Sequence, residues 1–379
     1  MVIGILSEGS SDNRVAITPE HIGPLKALKA DRILIESGAG LHASSTDEAY
    51  TTAGAELVNR YTVLQDADVI LCINPIPKSE LYKLKGKVII GGFNPLINKD
   101  FVADCLEAGV SAFSLDVIPR TTRAQAMDIL SSMATVSGYK AVLLAASHLP
   151  KFFPMFMTAA GTITPAKVLI LGAGVAGLQA ISTAKRLGAV VEAFDVRTAA
   201  KEEVLSLGAK FVDVEGAVED KTAGGYAVEQ SEEFKKRQQT AVQDHAAKSD
   251  VVICTAQIPG RKAPILLLKD TIQHMKPGSV VIDLAASTGG NCEATENGKT
   301  IQVHGVTIIG DSALASSMPG DASKMFGKNL LNFLKIMVTK DGAIELNWED
   351  DLITGTCIAH AGEVKSARVN SVMNEMVNS

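Results

Sequence analysis

The sequence predicts an α/β protein made of two doubly wound parallel sheets. The chain has 379 residues, more than the roughly 250–300 that a single hydrophobic core holds. Short β-branched runs alternate with helix-length segments along nearly all of it, which implies parallel strands covered on both faces. Near the middle stands a glycine-rich turn between a strand pattern and a helix pattern.

In chain order, strands are expected at 2–6, 32–37, 69–73, 87–91 and 111–114, with helical patterns at 19–28 and 98–108 between them. A second series follows at 167–171, 190–195, 210–212, 250–255, 279–284 and 306–310. Between the series, Thr122 and Gln125 have the spacing of a Thr-x-x-Gln capping box, and a helical pattern runs on to 147, interrupted near Gly138. Another helix is expected at 322–337. The remaining tail is too short for a third sheet, so it is expected to pack back on the first. This gives a discontinuous first domain of 1–136 plus 320–379 and a second of 137–319, linked by long helices with a cleft between them.

Composition narrows the function classes. With 36 Lys and Arg against 42 Asp and Glu, the net charge of −6 leaves no basic footprint for nucleic acid. Five scattered cysteines (72, 105, 254, 292, 357), with no C-x-x-C, fit reduced thiols in a cytoplasmic setting. The seven histidines are isolated, no H-E-x-x-H is present, and no metal site is expected. No G-x-S-x-G elbow supports a hydrolase. The N-terminus lacks a basic n-region, and no segment is expected to span a membrane; the uncharged stretch 168–184 reads as strand, turn and helix.

The glycine turn carries the most information. After KVLIL come Gly172, Gly174 and Gly177 in G-x-G-x-x-G spacing; Val175 and Ala176 open the helix, and the next strand ends at Asp195, Val196 and Arg197. Gly172 permits the tight turn, Gly174 lets backbone approach a pyrophosphate, and Gly177 allows close helix–strand packing. The helix N-terminus offers free N–H groups and a positive dipole end. Asp195 lies at the distance from the turn where a carboxylate accepts from ribose hydroxyls and repels a 2′-phosphate, favouring NAD(H) over NADP(H); Arg197 works against that preference. The alternative is a tight turn that only packs. A bare Gly38-Ala-Gly40 lacks the third glycine and reads as a plain turn.

The run MTAAGTITPAKVLILGAGVAGLQAISTAKRLGAVVEAFDVR resembles the soluble NAD(H)-binding component (domain I, carried on the alpha subunit) of the proton-translocating NAD(P) transhydrogenases. The segments PRTTRAQAMDILSS, AGGYA, TAQIPGRKAP and DLAASTGGNCE resemble it too, and alanine dehydrogenases are the sister family. The resemblance implies a Rossmann-like fold in both domains. It implies that Arg120, Gln125, Asp128 and Ser131 contact the nicotinamide end of the cofactor; the spacing of the last three sets a drifting stripe on one helix. By residue type alone, Gln125 is equally a cap partner and Asp128 an acid favoured by the helix dipole. The resemblance also implies a lid whose Tyr226 closes over NAD(H), with Gly224 and Gly225 as its hinge; by itself that stretch is a solvated loop. Thr255, Ala256 and Gln257 end one strand where backbone contacts to the cofactor are expected, and 283–286 end another, followed by Gly289-Gly290-Asn291.

An amino-acid dehydrogenase moves protons as well as hydride and needs a lysine and a histidine beside the nicotinamide. Where alanine dehydrogenases have that lysine this chain has Ile73 followed by Asn74 and Pro75; their histidine aligns near Asn94, and their acid is replaced by Ser287. Arg14 remains. Hydride transfer between two nicotinamides needs no acid or base, only close approach and exclusion of water. The resemblance therefore implies an oxidoreductase of the Si-specific, proton-translocating NAD(P)+ transhydrogenase type. Its partners would be an NADP(H)-binding domain, a membrane-spanning proton-translocating subunit and a second copy of this chain. It would lie peripheral on the inner face of the membrane. An alanine-type dehydrogenase and an NAD(H)-sensing module are the alternatives.

Overall fold

The computed structural model describes residues 1–197, 199–214 and 231–377, with side chains described through 374. It divides into two compact units, Met1–Met133 with Ser316–Ser379, and Ala134–Ala315.

The sheet of the first unit has seven strands in the spatial order Cys357–Ala359, Ser111–Ser114, Val88–Gly91, Val69–Leu71, Val2–Ile5, Arg32–Glu36 and Glu56–Val58. All are parallel except Cys357–Ala359, which runs antiparallel to Ser111–Ser114 at the edge. Alternate residues go to opposite faces, as strand geometry requires. Ile3, Ile5, Ile33 and Ile35 pack with Phe326, Leu330, Phe333 and Leu334 of the helix Pro319–Met337. Leu34, Ile70 and Ile89 pack on the other side with Leu64, Phe101 and Val102. Both faces are covered, which is why these strands are continuous apolar runs. The connecting helices start where the sequence supplies a cap: Thr46 accepts from the Ala49 N–H at 3.2 Å and Asn59 from the Thr62 N–H at 2.9 Å.

Strand order reverses between Val2–Ile5 and Val69–Leu71, the position where doubly wound sheets hold ligands. Here the protein fills it with its own carboxylates. Glu8 accepts from the N–H of Ile73 at 2.6 Å and from the N–H and side-chain amide of Asn74 at 3.0 Å each. Burial pushes the Glu8 carboxyl above its usual range in spite of these donors. Burial would raise Asp12 too, but the guanidinium of Arg14, donating at 2.9 and 2.5 Å, brings it down to about 2.

The sheet of the second unit runs Lys210–Phe211, Val190–Phe194, Lys167–Leu171, Val251–Cys254, Val280–Asp283, Val306–Gly310 and Lys299–Val303, with only the last antiparallel. Its reversal lies between Lys167–Leu171 and Val251–Cys254. Two doubly wound parallel sheets are thus present, each bearing one antiparallel edge strand.

Four details differ from the sequence reading. The Thr122/Gln125 capping box does not form: Thr122–Met127 is a 3-10 helix preceded by Thr121 with no side-chain cap, and the α-helix begins only at Ile129. Gln125, Asp128 and Ser131 therefore do not share one helix. That helix, Ile129–His148, runs through Gly138 without a break. It is also long and apolar enough to cross a membrane by length and composition, although Lys140 keeps it from being an uncharged stretch in the sequence. Its Ala141, Val142 and Ala145 belong to the core of the second unit. Finally, residues 156–163 form an antiparallel hairpin, Phe156–Thr158 with Gly161–Ile163, where no strand is expected.

Candidate functional site

The site is built at the carboxyl ends of Lys167–Leu171 and Val251–Cys254. The chain leaves the first strand through Gly172, whose φ of +100° is open to glycine at little cost. A Cβ there would lie 2.7 Å from the Thr255 hydroxyl. A Cβ on Gly177 would lie 1.9 Å from the Gly172 carbonyl oxygen, so the helix Val175–Arg186 seats its first turn directly against the turn that precedes it. Gly174 is different: it is exposed, and no atom lies within 4 Å of where its Cβ would stand. As N-cap it offers no side chain to the first-turn N–H groups. The three glycines thus do three separate jobs, and the open one sits where the helix presents its positive end.

The helix is held from behind as well. A Cβ on Gly138 would come within 2.1 Å of the Ala176 carbonyl oxygen, so the helix Ile129–His148 touches backbone to backbone at the first turn of the glycine-loop helix. The sequence marks Gly138 only as an interruption in a helical pattern; its role is close approach.

Across the reversal point, the Thr255 hydroxyl donates to the Gly172 carbonyl at 2.8 Å. Ala256 is clamped by Asn291, whose Oδ1 accepts its N–H at 3.0 Å and whose Nδ2 donates to its carbonyl at 2.9 Å. The Gln257 amide donates to the Leu284 carbonyl at 2.7 Å. Asn291 is fully buried and is itself held by Asp283, whose carboxylate accepts from the N–H groups of Ala285, Asn291 and Cys292 and from the Thr295 hydroxyl. Sequence reasoning named the Gly289-Gly290-Asn291 turn without giving Asn291 this task. The signal was an amide directly after two glycines, both with positive φ.

Asp195 ends the second strand with its side chain only 7% exposed. It is not waiting with empty acceptors. Oδ1 accepts from the N–H of Arg197 at 2.8 Å and its Nε at 3.0 Å; Oδ2 accepts from the Ala173 N–H at 2.7 Å and Arg197 Nη2 at 3.0 Å. These bonds fill the roughly four lone-pair positions of a carboxylate. Val196 beside them is exposed. The glycine loop, Asp195–Arg197 and 255–257 are thus brought together at one end of one sheet.

The other expected residues lie in the first unit. Arg120 and Gln125 are exposed, and Asp128 is the N-cap of Ile129–His148: its Oδ1 accepts the Ser131 N–H at 2.9 Å and its Oδ2 the Ser131 hydroxyl at 2.6 Å. Asp128 and Ser131 are joined by the cap, while Arg120 and Gln125 stand apart from that pair. Gly224, Gly225 and Tyr226 lie outside the described residues. Ile73 is buried, and Asn94 sits exposed at φ +51°, so neither position carries an ionisable side chain.

A doubly wound sheet with a glycine cradle, an uncapped helix N-terminus and an acid ending the next strand defines a protein of the dinucleotide-binding class. Comparison with known proteins narrows this. The alanine dehydrogenase/PNT N-terminal domain matches residues 4–137 and the corresponding C-terminal domain matches 141–367, and the chain belongs to this family. The first polypeptide of NAD(P) transhydrogenase subunit alpha of Rhodospirillum rubrum is 46% identical over 364 residues, covering 93% of this chain and 94% of that protein. The crystal structure of transhydrogenase from Sinorhizobium meliloti superposes with a TM-score of 0.88 at 43% identity, covering 96% of this chain and 100% of that one. Alanine dehydrogenase of Bacillus subtilis is more distant, 28% identical over 331 residues, covering 84% of this chain and 81% of that protein.

Gly138→Ala tests the contact that seats the glycine loop. By propensity alone, alanine inside a helix would stabilise by about 0.5–1 kcal/mol. A Cβ forced against the Ala176 carbonyl costs more, about 1–3 kcal/mol as overpacking. The variant is therefore expected to unfold at lower urea than the parent; a higher midpoint would show that the two helices are free to separate.

Proposed function

We propose that this chain is the NAD(H)-binding component of a proton-translocating NAD(P) transhydrogenase. It would hold NAD(H) for direct hydride exchange with NADP(H) on a partner domain, on the inner face of the membrane beside a proton-translocating subunit. The observation that carries the reading is the cradle at the second sheet: an exposed Gly174 before an uncapped helix N-terminus, facing the switch point, in a chain related over nearly its full length to transhydrogenase alpha subunits.

The nicotinamide nucleotide supplies the hydride; the protein's part is to hold it. Gly172, Gly174, Val175, Ala176 and Gly177 are the residues for the pyrophosphate, through backbone N–H groups. Asp195, Val196 and Arg197 are those for the adenosine ribose, and Thr255, Ala256, Gln257 and Gly225 are assigned to the remaining approach. Arg120, Gln125, Asp128, Ser131 and Tyr226 are assigned to the nicotinamide end. Positions 73 and 94 provide no lysine or histidine, as suits a reaction that moves a hydride and no separate proton. Preference for NAD(H) is supported by Arg197, whose guanidinium is already engaged by Asp195 and so is not offered to a 2′-phosphate.

The proposed second copy of the chain has a surface to meet. An isolated two-stranded hairpin is marginal in water, yet every residue of Phe156–Thr158 and Gly161–Ile163 is exposed. Phe152, Met155, Met157 and Ile163 add apolar area, with Met157 78% exposed. A second chain covering this hairpin accounts for its persistence.

The deciding experiment mixes the purified chain with an NADP(H)-binding transhydrogenase domain and follows hydride exchange between NADH and NADP+. Exchange that requires both proteins is expected; no exchange, with pyruvate- and ammonia-dependent NADH oxidation by the chain alone, would make it an amino-acid dehydrogenase. Asp195→Ala is expected to weaken NADH binding by about 1–3 kcal/mol and, by freeing Arg197, to narrow the preference over NADPH; unchanged NADH affinity in a titration would remove Asp195 from the ribose site. Met157→Glu is expected to shift sedimentation from dimer to monomer, and a dimer of undiminished stability would place the interface elsewhere.

A further inference from the structure

We propose that Asn329 and Asn332 are positioning residues for hydride transfer, holding by one shared carbonyl the backbone that carries Gln125 and Asp128. The inference rests on the assignment of that segment to the nicotinamide end and adds residues distant in sequence that set its place.

The two asparagines stand one turn apart on the helix Pro319–Met337, so their side chains fall on one face. Both direct the amide to the same acceptor: Asn329 Nδ2 donates to the Ala126 carbonyl at 2.9 Å and Asn332 Nδ2 at 3.0 Å. Ala126 lies in the 3-10 helix Thr122–Met127, which ends abruptly as Asp128 turns extended at φ −77° and ψ 95°. At such an end the carbonyls lose their helical partners, and the asparagines supply replacements. Arg123, farther up the segment, is paired with Asp350 and Asp351. The segment is therefore tied at both ends to later parts of the chain. Gln125 itself is exposed, and its place is inherited from the backbone.

Asn329 gives the reason to read this as more than packing. It is 5% exposed, and its Oδ1 is the one buried side-chain oxygen or nitrogen among the described residues with no hydrogen-bond partner. Asn332 is complete by comparison, with Lys335 donating to its Oδ1 at 3.3 Å. A buried amide with an unsatisfied oxygen is worse for stability than an apolar side chain of the same shape. Position 329 sits beside Leu330 and Leu331 in a helix face rich in leucine and phenylalanine, where a leucine would fit. Stability alone does not favour asparagine there; the grip on Ala126 does. A reaction without an acid or base depends on the approach of two rings, and a misplacement of about 1 Å costs on the order of a hundredfold in rate.

The test uses the full chain carrying Asn329→Leu, Asn332→Ala or both, with four readouts: melting temperature, NADH affinity by fluorescence titration, deuterium uptake at 122–128, and hydride exchange with the NADP(H)-binding domain. For Asn329→Leu the melting temperature is expected to hold or rise and NADH affinity to stay within about twofold, while uptake at 122–128 quickens and exchange slows about tenfold or more. The double variant is expected to be slower still. Exchange at the parent rate in the double variant would overturn the proposal. So would a loss of rate in Asn329→Leu that only tracks a lowered melting temperature, with Asn332→Ala unaffected. If the parent chain exchanges no hydride at all, the transhydrogenase reading has failed instead, and deuterium uptake still decides whether the two asparagines hold the segment.

Discussion

A contact between backbones governs the second sheet. The Gly172 turn and the first turn of Val175–Arg186 lie so close that a Cβ at position 177 would stand 1.9 Å from a carbonyl oxygen, and behind them Gly138 lets another helix reach Ala176 at a distance no side chain permits. Interiors transmit strain because they are close-packed, so this stack of helix, helix and turn fixes where the first-turn N–H groups point. Thr255, hydrogen-bonded to the Gly172 carbonyl, carries the same registry across the switch point to the next strand. From there Asn291 and Asp283 extend it to a third. The cradle is rigid because its walls are main chain.

The two sheets share a topology and treat their switch points in opposite ways. In the first, Glu8 takes the N–H groups of Ile73 and Asn74, and Asp12 takes the guanidinium of Arg14, so that the donors an anion would use are answered from within. In the second, Gly174 leaves the corresponding space open and the helix start uncapped. Fold alone does not say which of two similar units binds a nucleotide; the occupation of the donors does. A carboxylate buried at the first site, its pKa raised by that burial, is a poor neighbour for a phosphate.

The sequence made the parallel strands legible because each is an apolar run bounded by helix-length segments, and the glycine motif because its three positions have separate steric jobs. It hid the edges. Glu56–Val58, Lys299–Val303 and Cys357–Ala359 are short or partly exposed and owe their conformation to the neighbour they pair with. The Thr122/Gln125 pattern promised an N-cap, but Asp128, three residues before Ser131, competes for the same role and wins with two hydrogen bonds to that residue. Gly138 looked like a helix breaker because periodicity registers the absence of a side chain and not the backbone that needs the room. Nothing local marks Asn329 and Asn332 as partners of Ala126, which lies some two hundred residues away.

The Asp195–Arg197 pair changes what the end of the second strand means. An acid at this distance after a glycine motif suggests a carboxylate ready for ribose hydroxyls, yet here both oxygens are engaged, two of the four bonds coming from the Arg197 side chain. Ribose hydroxyls would have to replace guanidinium N–H donors, trading charged hydrogen bonds for neutral ones, which are weaker by about half. The acid then contributes less to affinity than an unoccupied carboxylate would, and more to selectivity, since it keeps Arg197 from a 2′-phosphate as long as the pair persists. A site of this kind grips its nucleotide moderately, which suits a component that must exchange spent nucleotide for fresh in every cycle.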